Sequence, residues 1–322
     1  MKNSNQNITH LVDYINRNST SKEKRLDANE TSMLELALED LRARTYEVLY
    51  TDLKARAFLP TISDVDPGAE TFAFEQTDEV GVAKIITNFS DDAPSVNVKS
   101  EKIRHEIVSL GDSWEYSMQD MRRAAMSGNQ LDARKAKAAR NAFERGLDNL
   151  AAFGSAAHNI GGFVNNSNVL VSAGTGAAWS TSNPLVQLAD LNKLVADAII
   201  GSGETITFDT VLLPLRQYLL ASQTFLDTQN PRTVLESFQA ANPFVTLVAP
   251  WNVLDGAGVG AKDRLVCYSR SEEVCGLVIP QEFEVLAPQP KGFAFKMFGF
   301  GRSAGTVIMR PYGLRFMDLI AS

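Results

Sequence analysis

The chain has 322 residues and a formal net charge of −7, a balance that excludes a protein built mainly to grip phosphate backbones, which needs a dense basic face. Hydrophobic residues make up 44 %, enough for a real core in one large or two medium domains, and the absence of any run of about 18 apolar residues predicts no membrane span. The first stretch, MKNSNQNITHLVDYINRNSTSKEKR, lacks a signal-peptide apolar core, which predicts a protein made and kept in the cytoplasm.

Residues 1–28 are polar, rich in Asn and Ser, and read as an arm. Ser32 and Glu35 form a capping-box pair before MLELALEDLRARTYEVLY, where Leu34, Leu38, Leu41 and Val48 give a helix one apolar face. ARAFLPTISDVDPG then carries two prolines and a Pro-Gly turn signal. From residue 70 to 110 apolar and polar residues alternate over two stretches, which predicts a long β-hairpin broken at the Asp91–Pro94 corner. Phe72 and Phe74 share one face; Ala83 and Ile85 share another. The hairpin has few large apolar residues, so it is expected to lie on something else.

Ser117 opens a short helix, MQDMRRAAMS. Residues 128–154 follow as one long helix, with Asn129 and Asp132 as N-cap pair and Gly154 as stop. On a 3.6-residue wheel Phe153, Gly146, Ala139, Leu150, Phe143, Ala136 and Leu147 make one stripe, while Arg140, Glu144, Asp148, Lys137, Arg134 and Arg145 mostly cover the rest. Such a helix is roughly 35 Å long, a spine about as wide as a small domain. An α/β unit comes next: a helix in PLVQLADLNKLVADAIIGSG closed by Gly201, a buried strand in ITFDTVLLP, two short helices, and the strand VTLVAPW. Cys267 and Cys275 flank SRSEEV, which reads as a hairpin turn that lets the two thiols face each other. In a reducing cytoplasm they are expected to stay free. Strands return over residues 282–319.

Each motif that hints at chemistry lacks a necessary part. Gly301-Arg302-Ser303-Ala304-Gly305 matches the nucleophile elbow, but the β-branched TVIMRP follows instead of a helix, and the last histidine, His158, precedes the serine. A bend in a long strand is the expectation. DGAGVGAKDR lacks the Gly-Lys pair of a phosphate loop and leads into a strand. DVDPGAETFAFE has Asp64, Asp66 and Glu75 at calcium-loop positions, but contains Pro67 and lacks the required glycine. His10, His105 and His158 stand apart with no metal-ligand spacing. No catalytic, metal or cofactor residues can be assembled, so the expectation is a protein that is not an enzyme and carries no cofactor.

Several stretches, taken in order, resemble a known family: YEVLYTDLKARAFLPTISDVDPGAETFAFEQTDEVGVAKII, GDSWEYSMQDMRRAAMSGNQLDARKAKAARNAFE, FDTVLLPLRQY and GTVIMRPYGLRFMD. They are similar to tailed-phage major capsid proteins with the fold named after phage Hong Kong 97, in a subfamily known as a conserved domain of unknown function. The resemblance implies an α+β fold with a helix-bearing N-terminal arm (1–58), an extended loop over a neighbouring subunit (59–105), a peripheral domain with the spine helix (106–188), an axial domain (189–279) and C-terminal strands returning to the peripheral domain (280–322). It implies a shell of pentamers and hexamers of this chain around a phage genome, with no sequence-specific DNA binding and no membrane. The implied place is the virion capsid, assembled in the host cytoplasm, with portal, scaffolding or decoration proteins as candidate partners. Phe72, Phe74, Ile85 and Arg140 are the candidate inter-subunit contacts. An internal scaffolding segment of the length some relatives carry is not expected from the 58 residues before the loop. Two other readings stay open: an encapsulin-type compartment shell of the same fold, and an α+β enzyme.

Overall fold

The computed structural model describes residues 53–80, 97–120, 122, 131–227 and 230–319. The capped arm helix at Ser32, His10, Ile85, the Asp91–Pro94 corner and Asn129 lie outside the described residues.

The core is organised by a five-stranded sheet in the order β11-β8-β12-β18-β7: Leu247–Pro250, Thr210–Leu213, Asp263–Tyr268, Leu314–Leu319 and Val171–Ala173. Strands β8 and β12 are buried along their whole length, so they read as continuous apolar runs. Their side chains still alternate between two layers. Val211, Leu213, Leu265, Cys267, Met317 and Leu319 face helices α3 (Pro184–Gly201) and α5 (Val234–Ala241), which contribute Leu191, Leu194, Val195 and Phe238. Leu212, Val266, Tyr268, Leu314 and Phe316 face the opposite layer with Phe163, Trp251 and the spine. Local signals fix these helices. Asn183 Oδ1 accepts the Leu185 N–H at 3.1 Å, and Thr233 and Glu236 form a reciprocal capping box around the start of α5. Helix α3 includes Gly201 and not until Gly203, at φ +61°, does the chain turn left-handed; the expected stop falls two residues late.

The spine is helix α2, Leu131–Phe153. Ala139, Phe143, Leu147 and Leu150 are buried as the wheel predicts. Two of the expected stripe residues are not seated. Phe153 is 42 % exposed at the last helical position, and a side chain at Gly146 would meet nothing within 4 Å. Gly154 ends the helix at φ +70°, where a Cβ would stand 2.1 Å from the Ile160 carbonyl oxygen, so only glycine fits.

Beneath the spine lies a second sheet. Strand β16 (Ala294–Ser303) pairs with all ten residues of β4 (Val108–Ser117), from Ala294 opposite Ser117 to Ser303 opposite Val108. Strands β14 (Gln281–Val285) and β15 (Gln289–Lys291) flank it. The pattern at 108–117 carries Trp114 and Tyr116 inward under the spine, beside Ala139. The predicted hairpin is present as β2 (Thr71–Val80) against β3 (Asn97–Glu106), with Phe72 opposite His105 and Phe74 opposite Ile103. One buried residue, Ile107, joins β3 to β4, and its N–H donates to the Glu70 carbonyl at 2.9 Å.

The cysteine hairpin does not form. Both edges of β12 are taken, by β8 and β18, so β13 (Cys275–Val278) pairs instead with β17 (Gly305–Ile308) and with β1 (Thr61–Ile62). Cys267 faces the α3–α5 layer and Cys275 the spine layer; both are buried and free.

Candidate functional site

The residues that hinted at chemistry are used internally. Ser303 is fully buried where β16 bends into β17; its Oγ donates to the Val278 carbonyl at 2.8 Å and accepts from the Gly305 N–H at 3.0 Å. Gly305 sits at φ +70°, so the motif is a glycine-relieved bend. The loop at 255–264 turns its backbone donors toward the chain's own acids: Gly256 N–H donates to Asp263 and Val259 N–H to Asp318. Asp318 is also held by a fork from the buried Arg264, at 2.7 and 2.8 Å. Asp66 closes a turn by accepting the Gly68 N–H. His105 stacks on Phe74, and burial lowers its pKa. His158 is exposed in a short turn. Among the described residues no three His, Cys, Asp or Glu side chains are grouped to hold a metal ion.

What remains are surfaces, each built on a rigid element. Helix α1 (Ala55–Phe58) is fastened to the spine. Asp148 accepts the Ala55 N–H at 2.8 Å. The Arg56 guanidinium spans Glu144 on the spine at 3.0 Å and Glu282 on β14 at 2.8 Å. Hydrogen bonding to Arg56, and the charges of Arg56 and Arg140, hold the Glu282 carboxyl below the usual range despite partial burial. Burial pushes the Asp148 carboxyl up, against its two backbone donors. Arg140 itself is exposed on the flank of the spine.

The hairpin root has more local core than its sequence suggests. Phe72 and Phe74 are half-buried against a cluster of Ile62, Ile107, Val278 and Val307 of the same chain, which corrects the expectation that its apolar faces lack any local partner. Just beyond, β2 stands off the body. The cleft beneath it holds about 380 Å³, walled by Phe74, Thr77, Met309 and Tyr312 and rimmed by Glu75 and by Glu273, which Arg310 pairs at 2.9 Å. At the far end of β16, the turn at Gly292 presents Phe293, which is 87 % exposed. Leu215 and Leu219 on α4 (Leu215–Gln223) and the neighbouring Phe225 are also exposed. Phe293, Arg56, Glu144 and Glu282 were not singled out from the sequence. The signal for Phe293 was an aromatic directly after a Pro-Lys-Gly turn.

The chain as a whole matches a known class of protein. The family model described as major capsid protein matches residues 81–320. Among solved structures, the capsid of the myovirus phage XM1 is similar with a TM-score of 0.78 and 16 % identity, covering 88 % of this chain and 97 % of that one. The capsid of the native GTA particle gives 0.64 at 13 % identity, covering 88 % and 96 %, and a virus-like particle from Pyrococcus furiosus gives 0.52 at 14 %, covering 81 % and 91 %. No curated protein matches at a significant level. The fold is therefore the α+β capsid fold expected from the ordered stretches. With the family model covering most of its length, the chain belongs to the major capsid protein family.

Proposed function

We propose that this chain is the repeating unit of an icosahedral phage shell that encloses DNA. The observation that carries the reading is the agreement, over 88 % of this chain, with a phage capsid subunit, in a molecule that spends its rigid elements on surfaces and its polar motifs on its own backbone. In this reading the spine and the β4–β16 sheet form the wall, and residues 189–279 gather around the symmetry axes. Residues 59–105 lie over a neighbour, with Phe72, Phe74, Ile85 and Arg140 toward the contact, and the arm of residues 1–58 adds further contacts. A closed shell needs many copies of one heterologous contact. A net charge of −7 gives packaged DNA few cationic handles, consistent with enclosure without sequence-specific grip. Assembly in the host cytoplasm, portal, scaffolding or decoration partners, and a role without catalysis complete the proposal.

The test is electron microscopy and sedimentation of the full-length protein. Closed particles of megadalton mass are expected. A strictly monomeric profile across protein concentration and salt refutes the reading.

A further inference from the structure

We propose that the Phe293 tip of one copy seats in the cleft beneath β2 of another copy, as a head-to-tail contact of the shell. The inference rests on the shell-forming reading and assigns its contact.

The tip is a stiff projection. Lys291 pairs with Ala294 across the turn, Gly292 adopts φ +60°, and the Phe293 carbonyl accepts the Met118 N–H at 3.0 Å. Its ring is thus held out in water by a backbone fixed on both sides. A rigid exposed aromatic costs little entropy to bury and is the usual anchor of an interface. The cleft offers what the ring lacks: about 380 Å³ with walls from Phe74, Met309 and Tyr312. Charge agrees with this pairing. Lys291 and Lys296 flank the tip, with Lys291 paired to Glu115, and Glu75 and Glu273 rim the cleft, with Glu273 paired to Arg310, so Lys296 on the tip and Glu75 on the rim are the charges left to attract each other.

The chain cannot satisfy itself. Strand β16 runs ten paired residues from Ala294, beside the tip, to Ser303, a span of about 30 Å. The body that carries the cleft adjoins the Ser303 end, where Arg302 donates to the Pro67 carbonyl and β17 leads on to Met309. The knob therefore lies at the Ala294 end of β16, and the hole lies beyond its Ser303 end, between the β2–β3 hairpin and the segment that follows β17. Two different surfaces that meet head to tail generate rings when the rotation closes.

The experiment uses full-length protein carrying Phe293→Cys together with Tyr312→Cys, assembled and then mildly oxidised. Native Cys267 and Cys275 are buried and do not compete. A ladder of disulfide-linked chains on a non-reducing gel is expected from particles of the double variant and from neither single variant. Particles without a ladder overturn the contact and leave the shell reading intact. A disulfide-linked dimer from Phe293→Cys alone also overturns it, because the tip then meets another tip. Absence of particles from the parent protein refutes the shell reading and this contact with it. Phe293→Ala supplies a second measurement. It should leave thermal unfolding of the free subunit unchanged and lower particle yield at least about tenfold. Unchanged yield overturns the proposal.

Discussion

Phe143 and Gly301 form a steric pair that can be tested as one unit. Phe143 is 4 % exposed and lies against Phe283 with ring centroids 5.2 Å apart. A Cβ built on Gly301 would stand 2.6 Å from Phe143 Cζ and 2.8 Å from Cε2, so the ring occupies the space that the missing side chain leaves. Gly301 lies outside the left-handed region, so Gly301→Ala costs nothing in backbone strain and everything in overlap, about 2 kcal/mol. Phe143→Leu removes the colliding ring atoms and leaves a small void, again about 2 kcal/mol. In the double variant the new methyl enters that void. The rescue is partial, because the Gln281 carbonyl oxygen also stands 3.0 Å from the same Cβ. The cost of the double variant should fall short of the sum of the two single costs by about 1 kcal/mol, beyond the ordinary scatter of additivity. Urea unfolding of dissociated subunits at one fixed concentration measures all four corners, since assembly would otherwise add its own stabilisation. Additivity within about 0.4 kcal/mol would refute the claim that the spine seats through this ring.

Replacing residues 76–101 with a short Gly-Ser linker should keep the subunit folded, because Phe72, Phe74 and Ile107 retain their own cluster, and should abolish particles seen by electron microscopy. Normal particles from that variant would make the hairpin a dispensable loop. Burial raises both thiol pKa values, Cys275 to about 12, so neither cysteine should react with a thiol reagent at pH 8 until the chain unfolds. Ser303→Ala should cost about 1 kcal/mol through the lost bond to Val278, and parent Ser303 should resist a fluorophosphonate probe; rapid labelling would revive a hydrolase. The folded pKa of Asp148 is raised, so the folded state holds its proton longer than the unfolded chain, and stability from this group falls as pH climbs from about 4 through the raised value. Asp148→Asn should flatten that part of the pH profile, and an unchanged slope in denaturant titrations would contradict it.

The sequence was most legible where one segment carries its whole pattern. The spine's stripe and Gly154 stop, the Thr233 start of α5 and the paired strands of the hairpin depend on residues close in the chain. Strand β4 was missed although Trp114 and Tyr116 alternate inward, because its partner β16 lies some 180 residues away. The cysteine turn misled for a related reason. Whether β12 accepts β13 depends on two distant strands already filling its edges. The candidate assembly surface was least legible, since Phe293 reads as one more apolar residue in a strand-like FAFKMF run. Only the fold shows that this residue alone falls outside the packed layers. Arg56 was hidden similarly: its two carboxylate partners come from the spine and from β14.

The junction at Ile107 makes the hairpin a lever with a narrow fulcrum. Its two strands meet the body at Glu70 and Ile107, joined by one hydrogen bond, with no spare residue before β4 to absorb a turn. Phe72 and Phe74 pin the first residues to the body, and the paired strands beyond them extend about 20 Å. A rotation of about 9° at the base therefore sweeps the far end through about 3 Å, enough to break a hydrogen bond made there. Copies placed on differently curved parts of a surface must differ in tilt by angles of this order. Each would have to twist its lever at Ile107 to keep the same grip, and a substitution that stiffens or pads this one residue should narrow the range of curvatures the protein can build.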